Sequence, residues 1–122
     1  MQKSLVAVVD DDQSVRESLP DLLKVLGLQA QAFASAEAFL ASAIMAKVGC
    51  LILDIAMPGM SGPELHRELK ARDQAIPVIF ITAQTDGDLR RRMLEEGAVD
   101  CLFKPFSEAD LIAALKSALK GG

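Results

Sequence analysis

The sequence predicts a single open α/β domain, doubly wound, with a five-stranded parallel sheet at its centre. Three observations lead there. Short apolar runs alternate five times with segments of helical periodicity. The runs are almost wholly apolar instead of alternating, so each strand is buried on both faces, as in a sheet covered by helices on two sides. Five periods within 122 residues leave about 24 each, room for a short strand, a helix of about 12 and two tight loops. No linker or low-complexity stretch interrupts the pattern, and the length lies in the commonest range for one domain. Residues 1–122 are therefore read as one domain.

The first strand is the apolar run Leu5–Val9. Val15, Leu19, Leu22, Leu23 and Leu26 then fall at i, i+4, i+7, i+8 and i+11, one face of a helix, and Gly27 supplies its stop. Pro20 lies inside that helix, where it removes a hydrogen bond and crowds the Arg16 carbonyl, so a kink is expected and not a break. Gln29–Phe33 is a weak second strand, and Ser35 can cap a second helix reaching about Ala46. Cys50–Leu53 is the third strand. Ser61 and Glu64 make a capping box for the third helix, with Pro63 in the first turn, where its missing N–H is harmless. Val78–Thr82 is the fourth strand, and Asp86 caps a fourth helix that ends before Gly97. Val99–Phe103 is the fifth strand, followed by a fifth helix that opens on Ser107 and Asp110.

Composition excludes several function classes. A chain that is 51% hydrophobic and 25% charged is not disordered. No apolar run approaches the roughly 20 residues of a membrane helix. Met1-Gln2-Lys3-Ser4 leads straight into the first strand, with no secretory h-region, so a cytoplasmic protein is expected. Seventeen acids against thirteen bases give a formal charge of -4, a poor basis for nucleic-acid binding unless the bases cluster. The only cluster, Arg90-Arg91-Arg92, is short, and its members fan out about 100° apart on a helix. It reads as a solvated face or a docking surface for a protein partner. Cys50 and Cys101 sit in apolar runs as small buried hydrophobes, with no C-x-x-C spacing for metal or redox work. His66, the single histidine, is expected on an exposed helix face.

Ligands of open parallel sheets bind beyond the carboxyl ends of the strands. There the first strand delivers Asp10-Asp11-Asp12, the third Asp54, the fourth Thr82-Ala83 and the fifth Lys104-Pro105. Taken singly, an Asp after a strand is ordinarily a cap or turn residue, and Asp12 fits that role best. The conjunction is what carries weight. Carboxylates gathered from separate strands repel one another, and a hard divalent cation such as Mg²⁺ removes that cost. Lys104 suits a phosphoryl oxygen, Thr82 offers a hydroxyl, and small Ala83 leaves its N–H approachable. A nucleophilic carboxylate, a metal and a cationic clamp are what phosphoryl transfer needs.

The segments Val9-Asp10-Asp11, Leu51-Ile52-Leu53-Asp54-Ile55-Ala56-Met57-Pro58-Gly59-Met60-Ser61-Gly62, Ile81-Thr82-Ala83 and Phe103-Lys104-Pro105-Phe106 resemble the receiver domain of bacterial two-component response regulators. The resemblance covers the whole chain, and the set D-D…D-x-x-M-P-x-x-x-G…T-A…K-P-F is very specific to that family. It implies a flavodoxin-like strand order, 2-1-3-4-5, with five helices. It implies Asp54 as phospho-acceptor, and Mg²⁺ bound by Asp11, Asp54 and the Ala56 carbonyl with Asp10 assisting through water. It implies Thr82, the Ala83 N–H and Lys104 as holders of the phosphoryl group, and a cis Lys104-Pro105 bond. A histidine kinase would be the donor. Movement of Thr82 and the fourth helix would then reshape the surface of fourth helix, fifth strand and fifth helix, with the arginine triplet setting partner contacts or a phosphorylation-dependent homodimer.

The Asp100–Phe106 region and the Ser14-Val15-Arg16 helix start are similar to receivers fused to LuxR-type DNA-binding domains, which implies regulation of transcription. The chain stops at Leu119-Lys120-Gly121-Gly122 with no room for a helix-turn-helix, so the expectation is either a stand-alone receiver or the input half of a longer regulator. Two departures stand out. Cys101 occupies the position three before the lysine where many receivers carry a switching aromatic residue. Ala56 and Gln84 occupy positions that tune phosphoryl loss to water in the family; Ala56 has no polar group to orient that water, while Gln84 has an amide. The alternative is a phosphatase or phosphotransferase of the haloacid-dehalogenase kind, but its general acid, two residues past the nucleophile, would be Ala56. A flavin or nucleotide carrier would need a Gly-rich phosphate loop, and the sequence has none.

Overall fold

The computed structural model describes residues 5–84 and 86–119. Strand and helix alternate along them: β1 (Leu5–Val9), α1 (Gln13–Val25), β2 (Gln29–Phe33), α2 (Ala36–Leu40), β3 (Val48–Asp54), α3 (Gly62–Ala71), β4 (Val78–Thr82), α4 (Gly87–Glu95), β5 (Asp100–Phe103) and α5 (Glu108–Leu119). The strands form one parallel sheet in the order β2-β1-β3-β4-β5. The register aligns the strand ends. Val9 lies beside both Phe33 and Leu53, Asp54 beside Ile81, and Thr82 beside Phe103. Residues at or just beyond these ends therefore meet along one edge.

The pleat explains why the inner runs of β1, β3 and β4 are nearly all apolar, while the edge strand β2, Gln-Ala-Gln-Ala-Phe, is not. Ala7, Val9, Leu51, Leu53, Phe80 and Cys101 pack on one face with Phe39, Leu65, Leu69, Leu89 and Met93 from α2, α3 and α4. Val6, Val8, Cys50, Ile52, Ile79, Ile81 and Leu102 pack on the other with Leu19 and Leu23 of α1 and Leu111 and Leu115 of α5. Each fully buried Leu or Ile contributes about 1.5–3 kcal/mol relative to exposure, so both layers are needed to fix the sheet. The two cysteines are free, buried and on opposite faces.

The helix ends follow their caps. The Asp12 carboxylate accepts from Ser14 N–H at 2.9 Å to open α1. At its far end Leu28 N–H donates to Leu23 O and Gly27 N–H to Lys24 O, closing the turn at Gly27. The helix continues through Pro20 without a break. Ser61 and Glu64 make the expected reciprocal capping box, with Pro63 in the first turn of α3. Asp86 caps α4, and Asp110 N–H donates to Ser107 Oγ at the start of α5.

Three expectations are corrected. The second helix does not reach Ala46; it ends at Leu40, and a single 3₁₀ turn follows at Met45–Lys47. Ser42 is the physical cause, because its hydroxyl accepts from Ile44 N–H at 3.2 Å and offers the backbone an alternative to the helical bond. His66 is buried, not exposed, at 5% of its surface. Its ring meets Phe80 edge-on with centroids 5.5 Å apart. The third strand is also longer than its apolar run, extending to Val48 and Asp54. No helix among the described residues is long and apolar enough to cross a membrane. Met1–Ser4 and Lys120–Gly122, which bear on the leader and the chain end, lie outside the described residues.

Candidate functional site

The edge formed by the carboxyl ends of β1, β3, β4 and β5 gathers the residues singled out in the sequence. Asp10 follows β1 and is fully buried. Its Oδ1 accepts from Asp12 N–H at 2.9 Å and its Oδ2 from the Lys104 ammonium at 2.9 Å. Asp54 ends β3, the central strand, at 6% exposure. Asp11 is exposed at the mouth. One carboxylate oxygen from each of Asp10, Asp11 and Asp54 can be chosen so that all lie within 4.8 Å of one another. Asp12 stands apart as the α1 cap, and its bonds to Ser14 hold its carboxyl below the usual value.

Three acids so close have an electrostatic consequence. Burial, then the charge of Asp10, pushes the Asp54 carboxyl up to about 7, with Lys104 pulling the other way. Lys104 lies 3.8 Å from Asp54. Burial opposes its charge, but the hydrogen bond and charge of Asp10 outweigh that and hold its ammonium above the ordinary value. One lysine does not neutralise three carboxylates. The donor set is all oxygen, compact and open on the Asp11 side, and it fits a small hard dication such as Mg²⁺.

Thr82 and Lys104 are placed by the sheet itself, because Lys104 N–H donates to Thr82 O at 2.7 Å. Thr82 is 1% exposed, and its Oγ accepts from Gln84 N–H at 3.1 Å. Ala83 is exposed beside it, and the Lys104-Pro105 bond is cis, as the resemblance implies. The segment after Asp54 turns back tightly. Gly62 N–H donates to Ile55 O at 2.9 Å, and a Cβ at Gly62 would stand 2.2 Å from Asp54 O. Only glycine fits there. The exposed Ala56 lies within this turn, two residues past Asp54, and its methyl supplies no general acid.

Sequence reasoning missed one contributor. Arg16, one turn into α1, sends its guanidinium back to Asp10 O at 2.9 Å and pins the loop that carries Asp10 and Asp11. Its place one turn after the cap was the available signal. Lys104, expected as a phosphoryl clamp, stands at the edge with Asp10 as its nearest acid. The arginine triplet is paired within the chain, Arg90 with Asp100, Arg91 with Asp88 and Arg92 with Asp86.

Residues 6–116 match the family model described as the response regulator receiver domain. The chain is 42% identical over 119 residues to response regulator protein TmoT of Ectopseudomonas mendocina, covering 98% of this chain and 54% of that protein. It is 44% identical over 120 residues to transcriptional regulatory protein FixJ of Azorhizobium caulinodans, covering 98% and 57%. Among solved structures, FixJ-N superposes with a TM-score of 0.86 at 39% identity, covering 98% of this chain and 96% of that one. Response regulator StyR superposes at 0.88 with 44% identity, covering 97% and 60%. The chain thus spans about half the length of the curated relatives it matches.

Proposed function

The chain belongs to the response regulator receiver domain family, whose members are phosphorylation-activated signalling switches, and we propose that Asp54 is the carboxylate that takes the phosphoryl group. The observation that carries this reading is the position of Asp54. It is a nearly buried acid at the end of the central strand, with the Lys104 ammonium 3.8 Å away and two further acids beside it.

In the proposed reaction an Asp54 oxygen attacks the phosphorus of a phosphohistidine on a partner kinase, or of a small acyl phosphate. The new P–O bond forms as the bond to the donor breaks, and the leaving group keeps the electron pair. Asp10, Asp11, Asp54 and the Ala56 carbonyl would hold Mg²⁺, which when bound offsets the negative charge gathered around the transferred group. Lys104 exchanges part of its contact with Asp10 for a phosphoryl oxygen, acting as a point charge. Thr82 gives up the bond it accepts from Gln84 N–H and donates its hydroxyl to a second oxygen, and the Ala83 N–H faces a third. The chain turns over no substrate beyond its own acyl phosphate, since Ala56 places no general acid in the turn.

Moving Thr82 toward the phosphoryl group releases the start of the β4–α4 connection and so biases α4. A shift of this kind needs only a few kcal/mol, about one or two charge-assisted hydrogen bonds. In relatives named as transcriptional regulators the match covers 57% and 59% of their length. A DNA-binding output segment is accordingly the proposed recipient of the signal, in the cytoplasm. Intact-mass measurement after incubation with acetyl phosphate and Mg²⁺ tests the site. One phosphoryl group is expected on the wild type and none on Asp54→Asn; uptake by Asp54→Asn at the wild-type rate would overturn the assignment.

A further inference from the structure

The turn from Ile55 to Ser61 borders the acidic edge, and its backbone donors are anchored one after another. Met60 N–H donates to Glu37 Oε2 at 3.0 Å, Ser61 N–H to Glu64 Oε1 at 2.9 Å and Gly62 N–H to Ile55 O at 2.9 Å. The last two bonds close within the segment 55–64. Of these three only the first comes from outside it, from the first turn of α2, 23 residues earlier in the chain; the start of the segment is tied separately to β4, where Ile55 N–H donates to Ile81 O at 3.1 Å.

Glu37 would ordinarily be read as an acid complementing the N-terminus of a short helix. Its carboxylate instead reaches across to the turn. Gly59, at φ +77, leaves the space it occupies: a Cβ there would stand 2.7 Å from Glu37 Oε2. A side chain at 59 and the carboxylate of Glu37 compete for one place, and the sequence gives that place to the carboxylate.

We propose that Glu37 is a positioning residue for the cation site: by holding Met60 N–H it fixes the turn that presents the Ala56 carbonyl beside Asp10, Asp11 and Asp54. This rests on the reading of those residues as the Mg²⁺ site. The bond ties α2, which packs on the sheet through Ala36 and Phe39, to the turn after the central strand. Without it the turn keeps its internal bonds and the anchor of Ile55 on β4 but loses its tie to α2, and a carbonyl that must lie within a narrow octahedral geometry is held less well.

Glu37→Gln removes the charge but retains a carbonyl acceptor for Met60 N–H, and Glu37→Ala removes both. Calorimetric titration of the whole chain with Mg²⁺, with amide hydrogen exchange at Met60 alongside, separates them. Glu37→Ala is expected to bind Mg²⁺ about tenfold more weakly and to exchange faster at Met60. Glu37→Gln should restore both toward wild type. Wild-type Mg²⁺ affinity in Glu37→Ala overturns the proposal, and so does a Glu37→Gln variant as weak as Glu37→Ala, which would assign the effect to charge alone. Asp54→Asn, titrated in parallel, tests the underlying site. If it binds Mg²⁺ like wild type, the site reading falls and takes this inference with it. If it binds poorly while Glu37→Ala is unaffected, only the role of Glu37 is refuted.

Discussion

The Lys104 ammonium sits 2.9 Å from Asp10 and 3.8 Å from Asp54, so the cation expected to clamp a phosphoryl group rests on the most buried acid of the edge. Asp10 has no exposure at all and draws its charge compensation from this contact. Lys104→Met keeps the apolar stem and deletes the charge. The variant should be less stable than wild type by about 1–3 kcal/mol in a chelator, and Mg²⁺ should raise its melting temperature more than it raises the wild type's. Equal Mg²⁺-induced shifts in the two proteins would show that Lys104 does not offset the acids.

Asp54 gives a pH dependence with a definite sign. Its folded value, about 7, lies above the ordinary 3.8, so the unfolded chain releases this proton more readily. Its favourable contribution is then complete below the ordinary value and is lost as pH rises through about 7. In the absence of divalent cations Asp54→Asn should therefore match wild type at low pH. It should exceed it by about 4 kcal/mol near pH 8. Urea denaturation in chelator at the two pH values is the measurement. A variant no more stable than wild type at the higher value would mean that Asp54 is not strained by its surroundings.

The difference between what the sequence disclosed and what it withheld has a physical pattern. Strands β1, β2 and β4 and the side-chain caps that open the helices were legible, because apolar runs and side chains such as Ser61 and Glu64 act locally. Asp10, Asp54, Thr82 and Lys104 were legible as strand-end residues in a parallel sheet. Contacts decided by distant segments were not. Nothing near Glu37 announces Met60, and nothing in Lys104 says that Asp10 lies closer than Asp54. The early end of α2 turned on one hydroxyl, at Ser42. His66 was misplaced by its residue type, although Gly62, Leu65, His66 and Leu69 occupy i, i+3, i+4 and i+7 of α3 and are all buried. Position, weighed over polarity, would have put the imidazole inside.

That buried imidazole carries the next prediction. Among the described residues His66 Nδ1 has no hydrogen-bond partner, and burial, then the charge of Lys70, holds the ring below its ordinary 6.5. Arg67 adds to that effect and Glu96 opposes it. The unfolded chain binds the proton more readily, so this residue's contribution to stability is lost as pH falls below 6.5. His66→Phe keeps an aromatic edge on Phe80 and removes the titration. Its stability relative to wild type should rise steadily as pH is lowered from about 7.5 to about 5.5. A constant difference across that range, measured by thermal unfolding, would show that the ring is not held neutral.

The tightest steric demand at the site falls on Gly62. A Cβ there would lie 2.2 Å from Asp54 O and 3.1 Å from the Ile55 Cα, both main-chain atoms of the segment that presents Asp54. No flexible side chain can yield, so the strand end itself must move. Gly62→Ala should cost about 2–4 kcal/mol. Because the displaced atoms belong to Asp54 and its neighbour, the loss should extend to phosphoryl uptake even where the fold survives. Lowering the temperature until the variant is fully folded, then following acetyl phosphate uptake by mass, distinguishes the two effects. Phosphorylation at the wild-type rate in folded Gly62→Ala would mean that the acceptor tolerates displacement of its own backbone. A slower rate with unchanged folded content would locate the requirement for glycine in the geometry of Asp54.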